Sequence, residues 1–156
     1  MQEINITINK NAVLEEVAKT TAYIGAKSQL TDGQTLYDQV FVTDEDRKMI
    51  ERFWKEACNT VTNITKRFIN AVSDITHDRP VDYTLTLSMS DRFDKNLIGS
   101  ISASMFSMFV SYIMYKWCEI VAKDKAKEYS DNVATHIESI NAKLYNKLKP
   151  QRKKID

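Results

Sequence analysis

Glycine and proline are scarce in this chain of 156 residues, which contains three glycines and two prolines. Folds with many short strands need these residues at their turns, so the composition argues against an all-β fold and favours long helices. The glycines, Gly25, Gly33 and Gly99, stand far apart in the sequence. They therefore form no glycine-rich loop of the kind that holds a phosphate group.

An excess of charge of either sign is also missing. The chain has 22 basic and 21 acidic residues, which gives a formal net charge of +1. The chain as a whole therefore has no electrostatic attraction for nucleic acid or anionic lipid. The first ten residues, MQEINITINK, carry an early glutamate and no apolar run, so we do not expect a signal peptide there.

Cysteine is limited to two positions, Cys58 and Cys118, and their spacing does not match a metal site. Each lies within an apolar pattern of helical period. We interpret both as small buried hydrophobic residues of a protein in a reducing compartment. The sequence leaves open a disulfide between them.

The catalytic motifs H-E-x-x-H and G-x-S-x-G are absent from the sequence. His77 lies between Asp74 and Asp78, where it could bind a metal or titrate near neutral pH, but its surroundings are typical of a polar loop. His136 is predicted to be a surface or boundary residue. The acidic run at residues 44–46 is explained by the favourable field at the start of a helix. We therefore predict no enzymatic activity, no catalytic residues, no metal and no cofactor.

Two segments alternate strictly between apolar and polar residues, which is typical of half-buried strands. In residues 3–9 the apolar face consists of Ile4, Ile6 and Ile8, and a second strand of the same kind covers residues 81–89. A lone strand leaves its backbone groups unpaired, so the two strands should pair with each other or with another subunit. The three isoleucines are therefore candidate contacts with a partner subunit.

Helical periodicity covers most of the remaining chain. We predict helices over residues 11–26, capped by Asn9 or Asn11, over 43–72, capped by Thr43, over 91–123, capped by Ser90 or Asp91, and over 124–148. A loop with a turn at Asp32–Gly33 separates the first two. The predicted fold is mainly α, a compact bundle of about four helices with a small two-stranded β element. It forms a single domain over residues 1–149, followed by a short basic tail, 150–156.

The stretch of residues 96–115 contains no charge and reaches the length of a membrane span. Its many serines make it too polar for a lone span, so we predict no membrane interaction. Four small residues recur in steps of four, three and four, namely Ser100, Ser104, Ser107 and Ser111. This small-residue stripe lies on a helix that is strongly apolar elsewhere. The helix is either enclosed by other helices of its own domain, or its small-residue stripe contacts a neighbouring subunit.

The concentrated charge of the chain lies at the C-terminus, at Lys147, Lys149, Arg152, Lys153 and Lys154. Such a run is typical of a solvated terminus. It is also typical of a flexible basic arm that becomes ordered on an acidic partner surface or on nucleic acid. One short arm binds weakly, whereas many arms around a ring act together.

Four stretches together cover most of the chain and resemble small virion proteins of tailed phages and prophages of gut bacteria. They are NAVLEEVAKTTAYIGAK, FVTDEDRKMIERFWKEACNTVTN, YTLTLSMSDRFDKNLIGSISASMFSMFVSYIMYKW and the helix end LYNKLKP. Their layout is similar to that of head–tail connector proteins, also called head-completion or neck proteins. The resemblance implies a compact helical bundle of which about a dozen copies form a ring beneath the portal.

The function implied by this resemblance is that of a non-enzymatic adaptor between portal and tail that extends the DNA exit channel. DNA would only pass through the channel, and the protein would reside in the virion and, during assembly, in the host cytoplasm. The strand at residues 3–9 and the tail at 147–156 would reach the portal or the next ring. Two alternatives stay open: another virion or tail structural protein, and a small nucleic-acid-binding module that uses the basic tail.

Overall fold

The computed structural model describes residues 1–25, 41, 43–74 and 81–152. The described part is mainly α-helical with a small antiparallel sheet, as predicted. Its helices are α1 (Lys10–Gly25), α2 (Asp44–Thr65), α3 (Ile98–Val121) and α4 (Lys123–Leu144), and its strands are β1 (Gln2–Ile8), β2 (Ile69–Val72) and β3 (Tyr83–Met89). The predicted turn at Asp32–Gly33, the histidine His77 and the last lysines, Lys153 and Lys154, lie outside the described residues.

The two predicted strands pair with each other inside one chain. β1 and β3 are antiparallel, with a register that runs from Gln2 opposite Met89 to Ile8 opposite Tyr83. Alternate side chains of both strands are buried, and the outer face is polar, with the Thr86 hydroxyl donating to the Asn5 amide oxygen at 2.8 Å. The alternation of apolar and polar residues therefore identified both strands and the face that each one buries.

A third strand, β2, was not predicted from the sequence. The prediction of a helix over residues 43–72 is wrong at its C-terminal end, because α2 ends at Thr65 and the chain turns into a strand. β2 completes the sheet order β1-β3-β2 and contains an irregularity between Ile69, opposite Leu87, and Ala71, opposite Thr86. The extra residue, Asn70, turns its side chain outward, where its amide donates to Glu3 at 3.0 Å.

The first two helix starts follow the predicted capping residues. The Asn9 side chain accepts a hydrogen bond from the Ala12 amide at 2.8 Å, and the Thr43 hydroxyl accepts one from the Asp46 amide at 3.1 Å. The cap predicted at Ser90 or Asp91 is wrong. Residues 90–93 form a turn and a bridge, and Asp94 instead caps a 3-10 turn, Lys95–Leu97, that leads into α3.

The last helix also differs in length from the prediction. It ends at Leu144 rather than near residue 148, because the chain that follows pairs with the segment after β3. Phe93 and Lys147 form an isolated antiparallel bridge, and the Leu148 amide donates to the Arg92 carbonyl at 2.7 Å. Backbone groups that would have continued the helix are therefore satisfied by this pairing.

Helix α3 lies at the centre of the fold. It packs against α4 along its length and also contacts α1, α2 and β1. Phe109, in the middle of α3, is fully buried, with its ring 4.8 Å from the Trp54 ring of α2 and 5.6 Å from the Tyr83 ring of β3. The residue therefore joins the helical layer to the sheet.

The segment Lys95–Val121, 27 residues long, is the one helix of the described part that is long and apolar enough to cross a membrane. The central helix of a helical bundle has the same length and composition. In this structure the apolar side chains of α3 pack on the neighbouring helices and the sheet. These contacts bury 39% of the most apolar 18 residues of the segment.

The small-residue stripe faces α4 at Ser104. The Ser104 hydroxyl lies 3.4 Å from the Ser139 hydroxyl and accepts a hydrogen bond from the Lys143 ammonium group at 2.8 Å. Ser111, one heptad further along, is buried as well. Small side chains allow the two helices of this pair to approach closely. The contact at Ser104 corresponds to enclosure by the chain's own helices, one of the two interpretations of the stripe.

Replacing Ser104 with leucine is expected to lower the free energy of unfolding by about 1–3 kcal/mol, because the larger side chain forces α3 and α4 apart and removes the bond to Lys143. Urea denaturation measures the change. Ala103→Leu is the matched control, since Ala103 is exposed on the same helix and should tolerate leucine within about 0.5 kcal/mol. Equal effects of the two substitutions would show that Ser104 is not at a close helix contact.

One ion pair of the fold is largely removed from solvent. The Lys10 side chain, at the start of α1, is 6% exposed and bonds to the Glu51 carboxylate of α2, which is 31% exposed. The Lys10 ammonium group also lies 6.0 Å from the centre of the Trp54 ring. The pair therefore connects α1 and α2 through a charge that has little access to water.

Candidate binding site

The predicted partner contacts of the first strand do not reach the surface. Ile4, Ile6 and Ile8 are each at most 3% exposed because they form part of the hydrophobic core. β1 is an edge strand of the sheet among the described residues. A partner that contacts β1 would therefore use its backbone edge or its polar outer face rather than the isoleucine side chains.

The serines of the small-residue stripe are distributed between core and surface. Ser111 is 8% exposed, Ser104 and Ser107 are half-buried, and Ser100 is exposed at the N-terminal end of α3. The Ser100 carbonyl oxygen lies 3.4 Å from the Lys143 ammonium group, which also contacts Ser104. The N-terminal half of the stripe, Ser100 and Ser104, thus lies at the contact between α3 and α4.

The basic tail begins in an ordered segment that we call the strap, residues 145–148. The strap is held to the segment after β3 by the bridge between Phe93 and Lys147 and by the Arg92 guanidinium group. The Nε and Nη2 atoms of Arg92 donate to the Leu148 carbonyl oxygen at 2.9 and 2.8 Å. Lys147, Lys149 and Arg152 are exposed beside it. Of the predicted basic contacts, Lys147 is therefore fixed to the fold through the strap, and its side chain is exposed to solvent.

A cavity of about 290 Å³ lies under the strap. Its apolar lining comes from four parts of the chain and consists of Met1, Phe68, Met89, Phe93 and Leu144. The Tyr145 ring forms one side, in an edge contact with Phe68 at 5.1 Å, and is 47% exposed. Such a combination of apolar floor and accessible aromatic wall is typical of a pocket that accepts an apolar group.

Two cations line the same cavity. The Arg67 guanidinium group lies 5.9 Å from the centre of the Tyr145 ring, and Lys147 is contributed by the strap. Stacking on an aromatic ring holds the guanidinium group in place while leaving its N–H donors available. The cavity thus offers a hydrophobic interior together with donors for a carboxylate or another anion.

This end of the molecule is positively charged, although the whole chain is nearly neutral. The segments 66–68, 90–97 and 145–152 contain seven Lys or Arg residues and two Asp residues. Asp91 pairs with the Met1 amino group at 2.9 Å, and Asp94 caps the 3-10 turn. No ion pair joins the seven cations to a carboxylate within the described residues. The basic end is therefore suited to an acidic partner.

The described part of the chain contains one histidine, His136, and two cysteines, Cys58 and Cys118. His, Cys, Asp and Glu side chains form no cluster of three or more there that could hold a metal. His136 is half-buried on α4, and burial, with a smaller effect of Lys143, lowers its pKa. Cys58 and Cys118 are free thiols and both are buried. Burial raises the pKa of Cys58 to about 12, and it also raises the pKa of Cys118.

Both thiols should accordingly resist a chromogenic disulfide reagent in the native protein at about pH 8, since a pKa near 12 leaves only about one Cys58 thiolate in 10⁴. Absorbance of the released thiol measures the reaction. The same protein in urea should react at both positions. Rapid reaction of one thiol in the folded protein would show that it is accessible, and a single-cysteine variant would identify it.

The strap is expected to loosen when Arg92 is replaced by alanine. The substitution removes two charge-assisted bonds to the Leu148 carbonyl oxygen, so hydrogen exchange at the Leu148 amide and tryptic cleavage after Lys147 should become about fivefold faster or more. Lys95→Ala, a cation of the same segment outside the cavity lining, is the control and should leave both rates unchanged. An unchanged rate in the Arg92 variant would show that the backbone bridge alone holds the strap.

Reasoning from the sequence found the basic tail but missed the cavity. Arg67 and Phe68 fall within the helix predicted over residues 43–72, and the sequence pattern gives neither of them a binding role. The cavity combines residues that are distant in the chain, so only the fold brings them together. Comparisons with protein-family models, with curated proteins and with solved structures found no match to this chain.

Proposed function

We propose that this chain is a non-enzymatic structural protein that assembles by self-association into a ring, of the head–tail connector type, between the portal and the tail of a tailed phage. The observation that carries the assembly role is the basic end, where a partly apolar cavity, a fixed strap and cations without an ion pair to any described carboxylate lie together. The resemblance of the four quoted stretches to small virion proteins supports the phage setting.

Exposed apolar side chains support a role in protein–protein contact. Tyr145 and Leu148 at the strap are 47% and 50% exposed. Single exposed apolar residues are ordinary, but here Tyr145 lines a cavity with an apolar floor and a cationic rim, and Leu148 ends the same strap. Aromatic and arginine side chains are the residue types that contribute most to protein interfaces. The strap and cavity thus have the composition of an interface.

The C-terminal residues beyond the strap extend this interface in the proposal. Lys149 and Arg152 follow the strap on the exposed surface, and Lys153 and Lys154 continue the basic run in the sequence. In a ring, one such segment from each copy would approach the same neighbouring component, so that weak individual contacts act together. The acidic surface of a portal or tail protein is the partner that this charge favours.

The proposal is tested by measuring the mass of the purified protein in detergent-free buffer by light scattering, across a series of protein and salt concentrations. We expect a discrete oligomer, either alone or after addition of a portal protein, with rings visible by electron microscopy. A protein that stays monomeric at all concentrations and does not join portal rings would contradict the proposal. An assembled ring that is stable in buffer but never associates with portal or tail would contradict only the phage-connector part.

A second candidate, a small nucleic-acid-binding module, is favoured by the seven basic residues at one end of the molecule. It predicts binding to a short DNA duplex that weakens steeply with salt. Neutralising Lys147, Lys149 and Arg152 together should abolish this binding, whereas neutralising Lys123, Lys125 and Lys127 at the start of α4 should not. The absence of binding at low salt would exclude this function.

A further inference from the structure

The lining of the cavity under the strap contains cations but no carboxylate. Eleven residues line it, and the charged side chains among them are those of Arg67 and Lys147. Asp91, which follows the lining residue Ser90, pairs with the Met1 amino group at 2.9 Å. Neither cation forms an ion pair with a carboxylate of the described residues. The cavity is therefore complementary in charge to an anion.

Both cations lie on ordered parts of the fold. Arg67 follows the end of α2, and its guanidinium group lies 5.9 Å from the centre of the Tyr145 ring. Lys147 belongs to the strap, where its backbone bridges to Phe93. A guanidinium group that stacks on a ring keeps its N–H donors available for two parallel hydrogen bonds to one carboxylate. The ammonium group adds a second positive charge that imposes little geometry of its own.

A third donor lies between these cations on the strap. The Asn146 side chain lines the cavity and forms no hydrogen bond with any described residue. Its NH₂ group can donate to a carboxylate oxygen. The strap therefore contributes an ammonium group and an amide to the same cavity, and the residue after the end of α2 contributes the guanidinium group.

The interior of the cavity does not suit a purely polar anion. Its apolar lining consists of Met1, Phe68, Met89, Phe93 and Leu144. Burial of an ion against such side chains is costly, because they offer it no hydrogen bonds. A molecule with an apolar body and one terminal carboxylate would occupy both parts. The volume of about 290 Å³ lies at the lower limit for small-molecule pockets and restricts that body to a single ring or a short chain.

We propose that the cavity under the strap binds a small organic carboxylate, with its carboxylate at the donors of Arg67, Asn146 and Lys147 and its apolar body in the interior. The ligand class is that of arylalkanoic and short fatty acids. This inference goes beyond the proposed assembly role and does not depend on it. Because the ligand contacts the strap and the chain after α2 together, its binding also holds the strap in place.

Binding is measured by NMR titration of the isotope-labelled protein with phenylpropionate. We expect a dissociation constant of about 1 mM or lower, with the largest shifts at the amides of the lining segments 67–68, 88–93 and 144–147. Phenylpropanol, which lacks the charge, and acetate, which lacks the apolar body, should each bind about tenfold more weakly or worse. At saturation, hydrogen exchange at the Leu148 amide should slow about fivefold or more.

Substitutions at exposed positions locate the site. Arg67→Gln and Lys147→Gln each remove one charge with little change in size and should weaken binding about fivefold or more. Tyr145→Ala removes the aromatic wall and should have a similar effect, whereas Tyr145→Phe keeps the ring and should not. Lys66→Gln and Lys149→Gln neutralise exposed neighbours outside the lining and should bind as the wild type does. Circular dichroism verifies that each variant folds.

Four results would overturn the proposal. They are the absence of shifts at the lining segments up to about 10 mM phenylpropionate, equal binding of phenylpropanol, equal binding of acetate, and unchanged binding by the Arg67 and Lys147 variants. Tighter binding of an acetylated Asp-Phe peptide amide than of phenylpropionate would assign the cavity to a protein segment instead. Each of these results leaves the proposed self-assembly standing. A wild type that binds the acid but stays monomeric contradicts only the self-assembly.

Discussion

Replacing Glu51 with alanine is expected to lower the free energy of unfolding by about 3 kcal/mol, the largest effect that we expect from removing a charged side chain in the described part of this protein. The substitution leaves the Lys10 ammonium group, which is 6% exposed, without its anionic partner. Breaking a buried pair in this way typically costs about 3–5 kcal/mol. We place this pair at the lower end because Glu51 is 31% exposed. Urea denaturation followed by circular dichroism measures the change.

A double variant separates the loss of a partner from the value of the pair itself. Lys10→Met with Glu51→Leu removes both charges and keeps the volume, so its stability should return to within about 1 kcal/mol of the wild type. Glu16→Ala, an exposed carboxylate on α1, should change the stability by less than about 0.5 kcal/mol. A double variant that is as unstable as Glu51→Ala would show that packing, rather than the unpaired ammonium group, determines the effect.

Replacing Phe109 with alanine is expected to lower the free energy of unfolding by about 3–5 kcal/mol. The side chain is fully buried where α3 meets Trp54 and Tyr83. Its removal opens a cavity and eliminates two aromatic contacts, each of which adds about 0.5–1.5 kcal/mol. Because a small domain has a total stability of about 5–15 kcal/mol, the variant should unfold at a much lower urea concentration.

Two further substitutions make the Phe109 experiment specific. Phe106→Ala, at a half-buried position of the same helix, should cost less than half as much. Phe109→Leu keeps most of the buried volume and should recover at least about half of the loss. If Phe106→Ala were the more harmful substitution, the described orientation of α3 relative to the sheet would be incorrect.

The sequence was informative wherever one residue pattern matched one local structure. Strict alternation predicted β1 and β3. The side chains of a strand alternate between its two faces, so Ile4, Ile6 and Ile8 share one face independently of the tertiary contacts. Thr43 followed by three acidic residues predicted the start of α2 for a similarly local reason. Helical periodicity with long charge-free stretches likewise predicted a core role for α3.

The end of α2 could not be predicted in this way. Ile64, Phe68 and Val72 are four residues apart and continue the helical pattern through the segment that forms β2. The strand forms because the free edge of β3 satisfies its backbone, with the Ser88 amide donating to the Phe68 carbonyl at 2.7 Å. Tertiary pairing thus decides between two conformations that the local pattern allows equally.

The candidate site was only partly predictable for a related reason. The basic tail is visible as a run of charge, but a cavity is a relation between segments that the sequence does not place together. Arg67 follows a helix and Tyr145 follows another, 78 positions later (145 minus 67). These two side chains stack only because the fold brings the chain after α2 against the chain after α4. Burial of Lys10 depends equally on packing, since lysine in a sequence ordinarily indicates a surface position.

The pairing of β1 with β3 has a consequence for how the protein is made. The paired residues are between 75 and 87 positions apart, from Ile8 with Tyr83 to Gln2 with Met89. A ribosome that adds about 5–20 residues per second needs roughly 4–16 s between the synthesis of β1 and the synthesis of β3. During that interval the isoleucine face of β1 has no partner strand, and the nascent chain exposes it to solvent. A cotranslational chaperone that binds short apolar segments would therefore act on the first ten residues of every copy before the sheet closes.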